Sequence, residues 1–323
     1  MRAVRAGLVV TWLAVGCGGT PPSAPERVLI PEGSSFDAAT DSLGSHGLVA
    51  FRPWFWLVAR LGGYDRSIKP GLYEFTGARS ARAILGTLRD GKYLTARLTV
   101  PEGFTVVDIA DLAQARMRLP RDSVFAAVRD TALLRQHGIT APTAEGYLAP
   151  ETYIVPAHYS AREIVVEMLE QFDKAWDPRW DAGAAAAGLS RHQTLVLASI
   201  VEGEARLDDD RPLIAGVYLN RLRLRMPLQA DPTVQYAIQL QTRHRKPRLF
   251  NADYQVPSPY NTYLHPGLPP GPVGAPGRKS IEAVLNPARV PYLYFVAGPD
   301  GRHVFTRTYD EHLRAVARAR KAR

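Results

Sequence analysis

Twice along the chain a short apolar run meets Pro-Glu-Gly and then a helical pattern. Val28-Leu29-Ile30 leads into Pro31-Glu32-Gly33 and a helical stretch from Phe36 to His46 that stops at Gly47. Leu98-Thr99-Val100 leads into Pro101-Glu102-Gly103 and a helical stretch from Val106 to Ala115. Proline fixes one backbone angle and glycine reaches conformations closed to other residues, so each triplet reads as a turn between strand and helix. The repetition implies two related supersecondary units, and two copies are too few for a solenoid. Between them Lys69-Pro70-Gly71-Leu72-Tyr73-Glu74-Phe75 reads as turn then strand. Ser80 to Arg89 reads as a helix with Ala83, Ile84 and Leu88 on one side.

From Ser160 onward the signals are mostly helical. Ser160-Ala161-Arg162-Glu163 is a capping box, followed by a stripe of Ile164, Val165, Met168, Leu169 and Phe172. Gly188 ends the next segment, and Ser190-Arg191-His192-Gln193 is a second capping box opening a helix to about Ala205. A further helix covers Pro212 to Leu224, with Pro212 tolerated in its first turn. Gln229 to Gly277 reads as loop-rich, with prolines and glycines clustered after Pro257. Tyr292 to Val296, a Gly298-Pro299-Asp300-Gly301 turn and His303-Val304-Phe305 form a hairpin. The 323 residues, 46% of them hydrophobic, suffice for one large domain and a smaller one.

Arg2 and Arg5 precede an apolar run from Ala6 to Gly16 that ends at Cys17, the single cysteine. The run is short against the roughly 20 residues of a membrane span and fits the apolar stretch of an export signal. Leu13-Ala14-Val15-Gly16-Cys17 is a lipoprotein-type cleavage box displaced by one residue, which leaves two readings: a lipidated Cys17, or a cleaved signal or short anchor in which Cys17 is incidental. Either reading implies export, and a lone cysteine gives no disulfide framework. Gly18 to Glu26 is a Pro-rich tether. A net charge of +9 favours polyanionic partners, but no zinc-finger, RNP or helix-turn-helix signature accompanies it, so nucleic acid is not expected. The basic tail from Arg314 to Arg323 reads as an exposed helix end.

The candidate chemistry lies on the helix Thr194 to Glu204. Glu202 follows Leu195, Ala198 and Ser199 at i+7, i+4 and i+3, extending an apolar or small face on which a carboxyl would hold its proton. Gly203, costly inside a helix, would let a bulky ligand approach the backbone. Glu204, about half a turn away, is expected to be exposed. No HExxH, G-x-S-x-G or Walker sequence occurs, and His244, His265, His303 and His312 lack zinc-ligand spacing, so neither metal nor cofactor is expected.

Further blocks follow: Asn220-Arg221-Leu222, Leu228 to Tyr236, Ser258 to Tyr263 and Gly267 to Pro272. Together with Ser199-Ile200-Val201-Glu202, with Glu145-Gly146-Tyr147-Leu148-Ala149-Pro150-Glu151-Thr152-Tyr153 and with both Pro-Glu-Gly openings, they resemble the YceG-like endolytic murein transglycosylases from about Val28 to His312. The resemblance implies an α+β fold in which a small LysM-like subdomain joins a larger mixed helical and β catalytic domain. The implied organisation is an export signal or anchor and tether at 1–26, a small α+β subdomain at 27–96, a catalytic domain at 97–313 with a LysM-like unit at 97–118, and the tail at 314–323. It puts the catalytic glutamate at Glu202 and the enzyme in the cell envelope, at the inner membrane with its catalytic domain in the periplasm, beside peptidoglycan synthases. This sequence departs from the family in its short apolar run, where a true span is usual, and in Ala149, where a large aromatic is customary.

Such an enzyme needs one carboxylate: it protonates the glycosidic oxygen, then takes the proton of the muramic acid 6-hydroxyl as that oxygen closes a 1,6-anhydro ring. Ordinary glycosidases need two. Gln229, Asp231, Thr233, Asn261, Tyr263 and Glu151 are the expected polar contacts to the glycan strand, and Tyr147 and Tyr236 the expected stacking residues. Two rival readings stand beside this one: a hydrolytic muramidase with Glu151 or Asp231 as second carboxylate, and a noncatalytic peptidoglycan-binding lipoprotein.

Overall fold

The computed structural model describes residues 24–77 and 79–321; Cys17, the apolar run and most of the tether lie outside them. The described residues form two compact units. The first ends at Thr95 and also holds Pro156–His158, and the second holds Ala96–Val155 and continues from Tyr159. Among the described residues no helix is long and apolar enough to cross a membrane.

In the first unit the order is β1 (Glu26–Ile30), α1 (Phe36–Ser45), α2 (Arg52–Leu61), β2 (Gly71–Phe75) and α3 (Ala81–Asp90). β1 and β2 are antiparallel, with Val28 opposite Tyr73 and Ile30 opposite Gly71. Alternation along the strands turns Val28, Ile30, Tyr73 and Phe75 inward and leaves Leu29 outside. Ser35 and Ser80 accept backbone N–H groups in the first turns of α1 and α3, as their positions before apolar runs imply. The inner face of α3 is Ile84, Leu85 and Leu88; Ala83, expected there, is exposed, because the bulkier leucine next to Ile84 sets the direction of burial. Helix α2 was not legible. Phe55 and Ala59, four apart, tie it to the core.

The second unit opens with β3 (Thr95–Thr99), α4 (Val106–Met117), α5 (Arg121–Ala127), α6 (Thr131–Gln136) and β4 (Thr152–Pro156), which pairs with β3. Then come α7 (Ala161–Ala175), α8 (Arg179–Ala186), α9 (Arg191–Glu204), α10 (Arg211–Arg223), α11 (Asp231–Thr242) and α12 (Arg278–Leu285). A hairpin of β5 (Tyr294–Ala297) and β6 (His303–Thr306) and the helix α13 (Tyr309–Lys321) complete it. Both predicted capping boxes are formed, and the predicted stripe of α7 is buried. The region from Gln229 to Gly277 is not all loop. α11 occupies its first third, started by Pro232 in the first turn and held by buried Val234, Ala237 and Ile238. Mixed helices and small sheets make the chain α+β.

α9 is the axis of this unit. Every residue from Thr194 to Val201 is buried, and α8, α10, α11 and α12 pack around it. Burying Leu195, Leu197 and Ile200 stabilises the unit by about 1.5–3 kcal/mol each. The Ser199 hydroxyl, bonded to Val196 O at 2.8 Å, accepts Val273 N at 3.0 Å, fixing the Pro-rich loop against the helix. α10 pins the approach to the hairpin: the Asn220 amide donates to Val290 O and Tyr292 O, and the Arg221 guanidinium to Leu293 O and Leu228 O.

Candidate active site: a cleft at the end of a buried helix

A cleft of about 990 Å³ opens where the end of α9 meets α10, the turn before α11, the β5–β6 hairpin and α13. This is the upper range of pockets that hold small ligands or short oligomers. Glu204, Tyr218, Gln229, Asp231 and Tyr263 line it together with Tyr294, Tyr309 and His312. The ring centroids of Tyr294 and Tyr309 are 5.8 Å apart, and those of Tyr294 and His312 are 5.4 Å apart and nearly parallel. Gln235, Arg206 and Arg245 add polar and cationic groups.

The setting of Glu202 is not apolar. Its Oε1 accepts from Arg211 Nη1 at 3.0 Å, and its Oε2 accepts from Gly277 N at 3.0 Å and Ser280 Oγ at 2.8 Å. Arg211 also binds Asp208 and Ser280, and both Glu202 and Arg211 side chains are about nine-tenths buried. Three donors, one of them a guanidinium, thus engage the Glu202 carboxyl group. Glu102, from the second Pro-Glu-Gly turn, borders this cluster, and burial together with the Glu202 charge raises its pKa. A Cβ on Gly277 would fall on the Glu102 carboxylate, which explains the glycine there. Glu202 is not among the residues that line the cleft.

Two residues further on, about 200° around the helix, Glu204 meets a different environment. It is half-buried rather than exposed, and its Oε1 accepts the Tyr218 hydroxyl at 2.9 Å. Burial pushes its carboxyl up to about 7, the Asp231 charge adds to the rise, and the bonds from Tyr218 and the Asp231 backbone oppose it. Gly203 between the two carboxylates faces Pro232, whose ring lies 2.6–2.7 Å from where a Cβ would stand. The close approach is therefore made by α11, not by a ligand, and it brings Asp231 beside Glu204.

Of the other predicted contacts, Gln229, Asp231 and Tyr263 line the cleft. The Tyr263 hydroxyl donates to Asp231 Oδ1 at 2.7 Å, and burial raises its pKa far above the usual range. The remaining five are placed elsewhere. Thr233 is fully buried, its hydroxyl donating to Ala230 O at 2.7 Å and paired with the Thr262 hydroxyl at 2.9 Å. Asn261 is fully buried and its amide donates to Tyr254 O and Val256 O, shaping the loop. Tyr236 is buried and donates to Glu145 Oε2 at 2.9 Å. Tyr147 packs edge-on to Phe172 with its hydroxyl 2.9 Å from His192 Nδ1, and burial pushes that hydroxyl up to about 12. Glu151 is exposed at the head of β4, where its carboxylate accepts Thr152 N, and it does not line the cleft. Four of these five, all but Glu151, are buried, and their polar groups bond to neighbouring groups of the protein.

The sequence reading missed Glu204, Tyr218 and Glu145. The buried Glu145 carboxylate accepts Val106 N at 3.1 Å, and burial pushes its pKa up to about 8. A carboxyl every second residue at the end of a helix with no polar face was the available signal for Glu204.

A model of the YceG-like family matches residues 28–318. The chain is 31% identical over 304 residues to the endolytic murein transglycosylase of Bacillus subtilis (strain 168), covering 90% of this chain and 83% of that protein. It is 31% identical over 316 residues to the endolytic murein transglycosylase of Streptococcus pneumoniae serotype 2, covering 89% of this chain and 57% of that longer protein. A crystal structure of a yceG-like protein from Listeria monocytogenes superposes with a TM-score of 0.62 at 32% identity, over 91% of this chain and 99% of that one.

Proposed function

The chain belongs to the YceG-like family, and we propose that it is an endolytic lytic transglycosylase of peptidoglycan. In this reading it cuts the β-1,4 bond between N-acetylmuramic acid and N-acetylglucosamine within glycan strands and leaves 1,6-anhydro ends, limiting the length of nascent strands. The observation that carries it is a cleft carboxyl, Glu204, whose pKa burial raises to about 7. At neutral pH such a group is populated both as acid and as base, which the two proton transfers require.

The proposed acid and base is Glu204 rather than Glu202. Protonated Glu204 gives its proton to the glycosidic oxygen as the bond to the anomeric carbon breaks. The resulting carboxylate takes the 6-hydroxyl proton as that oxygen bonds the anomeric carbon, so no water is consumed. The nucleophile belongs to the same sugar, so proximity supplies much of the rate. Gln229 and Asp231 are the proposed hydrogen-bonding partners of the N-acetyl and hydroxyl groups, and Tyr294 and Tyr309 the surface for sugar faces. The β1–α1–α2–β2 order of the first unit supports placing the LysM-like, glycan-binding part there rather than at 97–118. The same reading keeps the enzyme in the envelope, held at the inner membrane through the lipid or short helix at its N-terminus and working beside peptidoglycan synthases.

Mass spectrometry of products from purified glycan strands tests this. Glu204→Gln should leave a folded protein that releases no anhydro-ended fragments, while Glu202→Gln should still release them at a reduced rate. If Glu204→Gln keeps the parental rate and folded Glu202→Gln loses it, the proton shuttle is Glu202. Reducing-end muramic acid among the products would establish a muramidase, with Asp231 the second carboxylate in the cleft. Strand binding without release by the parental protein would establish the noncatalytic reading.

A further inference from the structure

Helix α2 has two apolar faces, and the first unit uses one of them. Phe55 and Ala59 point into the core. On the other side Trp54, Leu57 and Leu61, spaced i, i+3 and i+7, are 58%, 46% and 80% exposed, with Phe51 before them and Trp56 beside them also exposed. Single exposed apolar residues are ordinary, but five within eleven consecutive positions make a patch of the kind that marks an interaction surface. The charged residues of the helix are Arg52 and Arg60, and no acidic residue lies between Asp41 and Asp65. The Arg60 guanidinium sits 5.0 Å from the Trp56 ring centroid.

We propose that this face of α2 rests on an anionic lipid bilayer. The stripe would enter the boundary between headgroups and acyl chains while Arg60 meets the phosphates. Composition is the first argument: tryptophan and phenylalanine with leucine on one side, Arg60 at the edge and Arg52 paired with Asp41 is what such an interface accommodates, whereas a glycan offers no acyl layer for Leu57 and Leu61. Reach is the second. Between the apolar run ending at Gly16 and the start of β1 at Glu26 lie nine residues. Fully extended they span at most about 30 Å, so a membrane holding that run also holds the first unit within touching distance. Only the argument from reach rests on the membrane-anchored reading.

The test uses the full chain with Trp12→Phe, which leaves Trp54 and Trp56 exposed and Trp176 and Trp180 buried. Phosphatidylglycerol vesicles with brominated acyl chains should quench roughly half of the emission and shift it to the blue, as for an interfacial helix. The effect should vanish in Trp12→Phe/Trp54→Phe/Trp56→Phe and weaken in Leu57→Glu/Leu61→Glu, with both variants as folded as the parent by circular dichroism. Val9→Arg/Leu13→Arg separates the two readings: quenching that persists there upholds the docking face and removes the apolar run as its cause. Vesicle-bound protein with unquenched Trp54 and Trp56 overturns the proposal. So does emission that responds to glycan strands, or to protein concentration without lipid, in place of the bilayer.

Discussion

Replacing Tyr218 with phenylalanine removes one oxygen from the cleft wall and leaves the buried ring to fill the same space. That oxygen donates to Glu204 Oε1 at 2.9 Å. The bond favours the carboxylate over the acid, so it holds the pKa below where burial and Asp231 would set it. Removing it therefore raises the pKa. A hydrogen bond to a charged group is worth about 1.5–3 kcal/mol when nothing replaces it, and one pKa unit corresponds to about 1.4 kcal/mol. Water entering the cleft recovers part of this, which leaves a rise of about one unit from the present value near 7. The first proton transfer needs the acid form, so kcat/KM falls as pH rises through this pKa. Initial rates of anhydro-ended product release between pH 5 and 9, on enzyme shown to be folded, should place the alkaline limb about one unit higher in Tyr218→Phe. A limb that stays in place or moves down would refute Glu204 as the acid and the Tyr218 bond as its regulator.

Glu145 makes a prediction about stability. Its pKa is raised by burial to about 8, so between the usual carboxyl value and 8 the folded chain holds a proton that the unfolded chain has released. Stability should fall by a few kcal/mol as pH rises across that window, and Glu145→Gln should flatten the dependence in urea titrations at pH 5, 7 and 9. Arg211→Met leaves Glu202 buried without its cation and should cost about 3–5 kcal/mol, read from the urea midpoint, with Glu202→Leu in the same chain restoring much of it. Asn261→Ala orphans the carbonyls of Tyr254 and Val256 and should lower stability by about 1–3 kcal/mol, while turnover per folded molecule stays near parental because Asn261 does not reach the cleft.

What was legible in the sequence was local. Ser160-x-x-Glu163 and Ser190-x-x-Gln193 cap their helices through side chains three residues apart, and the hairpin follows from its turn residues, so no distant contact is needed to find them. α2 and α11 escaped for different reasons: α2 is apolar over most of its circumference, whereas polar residues make up half of α11 and mask its buried face. Arg52-Pro-Trp-Phe-Trp-Leu-Val-Ala-Arg-Leu61 shows no polar face to mark a period, and Asp231-Pro232-Thr233 looks like a turn until α9 is there to bury it. The polar contacts were ambiguous in the sequence. Thr233, Asn261 and Tyr236 are residues a sugar site would use, but also residues that an irregular, buried loop needs to satisfy its own carbonyls and hydroxyls.

The proposed exchange of roles between Glu202 and Glu204 rests on the burial of α9. The sequence argument assumed one inner face, carrying Leu195 and Ala198, and an outer one for solvent. Yet Thr194 to Val201 is buried all round, so both carboxylates at its end meet protein. They are about 200° apart and receive opposite surroundings: a guanidinium, a hydroxyl and a backbone N–H for Glu202, a tyrosine hydroxyl and another carboxylate for Glu204. In the proposed reading Glu204 carries the proton, its carboxyl raised to about 7 by burial. The last turn of a helix is where fraying begins, and Glu202 ties that turn to α10 through Arg211 and to α12 through Ser280. In that reading the contribution of Glu202 to the chemistry is the position of Glu204, two residues on. Glu202→Gln should accordingly lower kcat while leaving the alkaline limb of the pH profile where it is, the reverse of Tyr218→Phe. A Glu202→Gln enzyme whose limb moves instead would mean that the proton resides on the carboxylate held by Arg211.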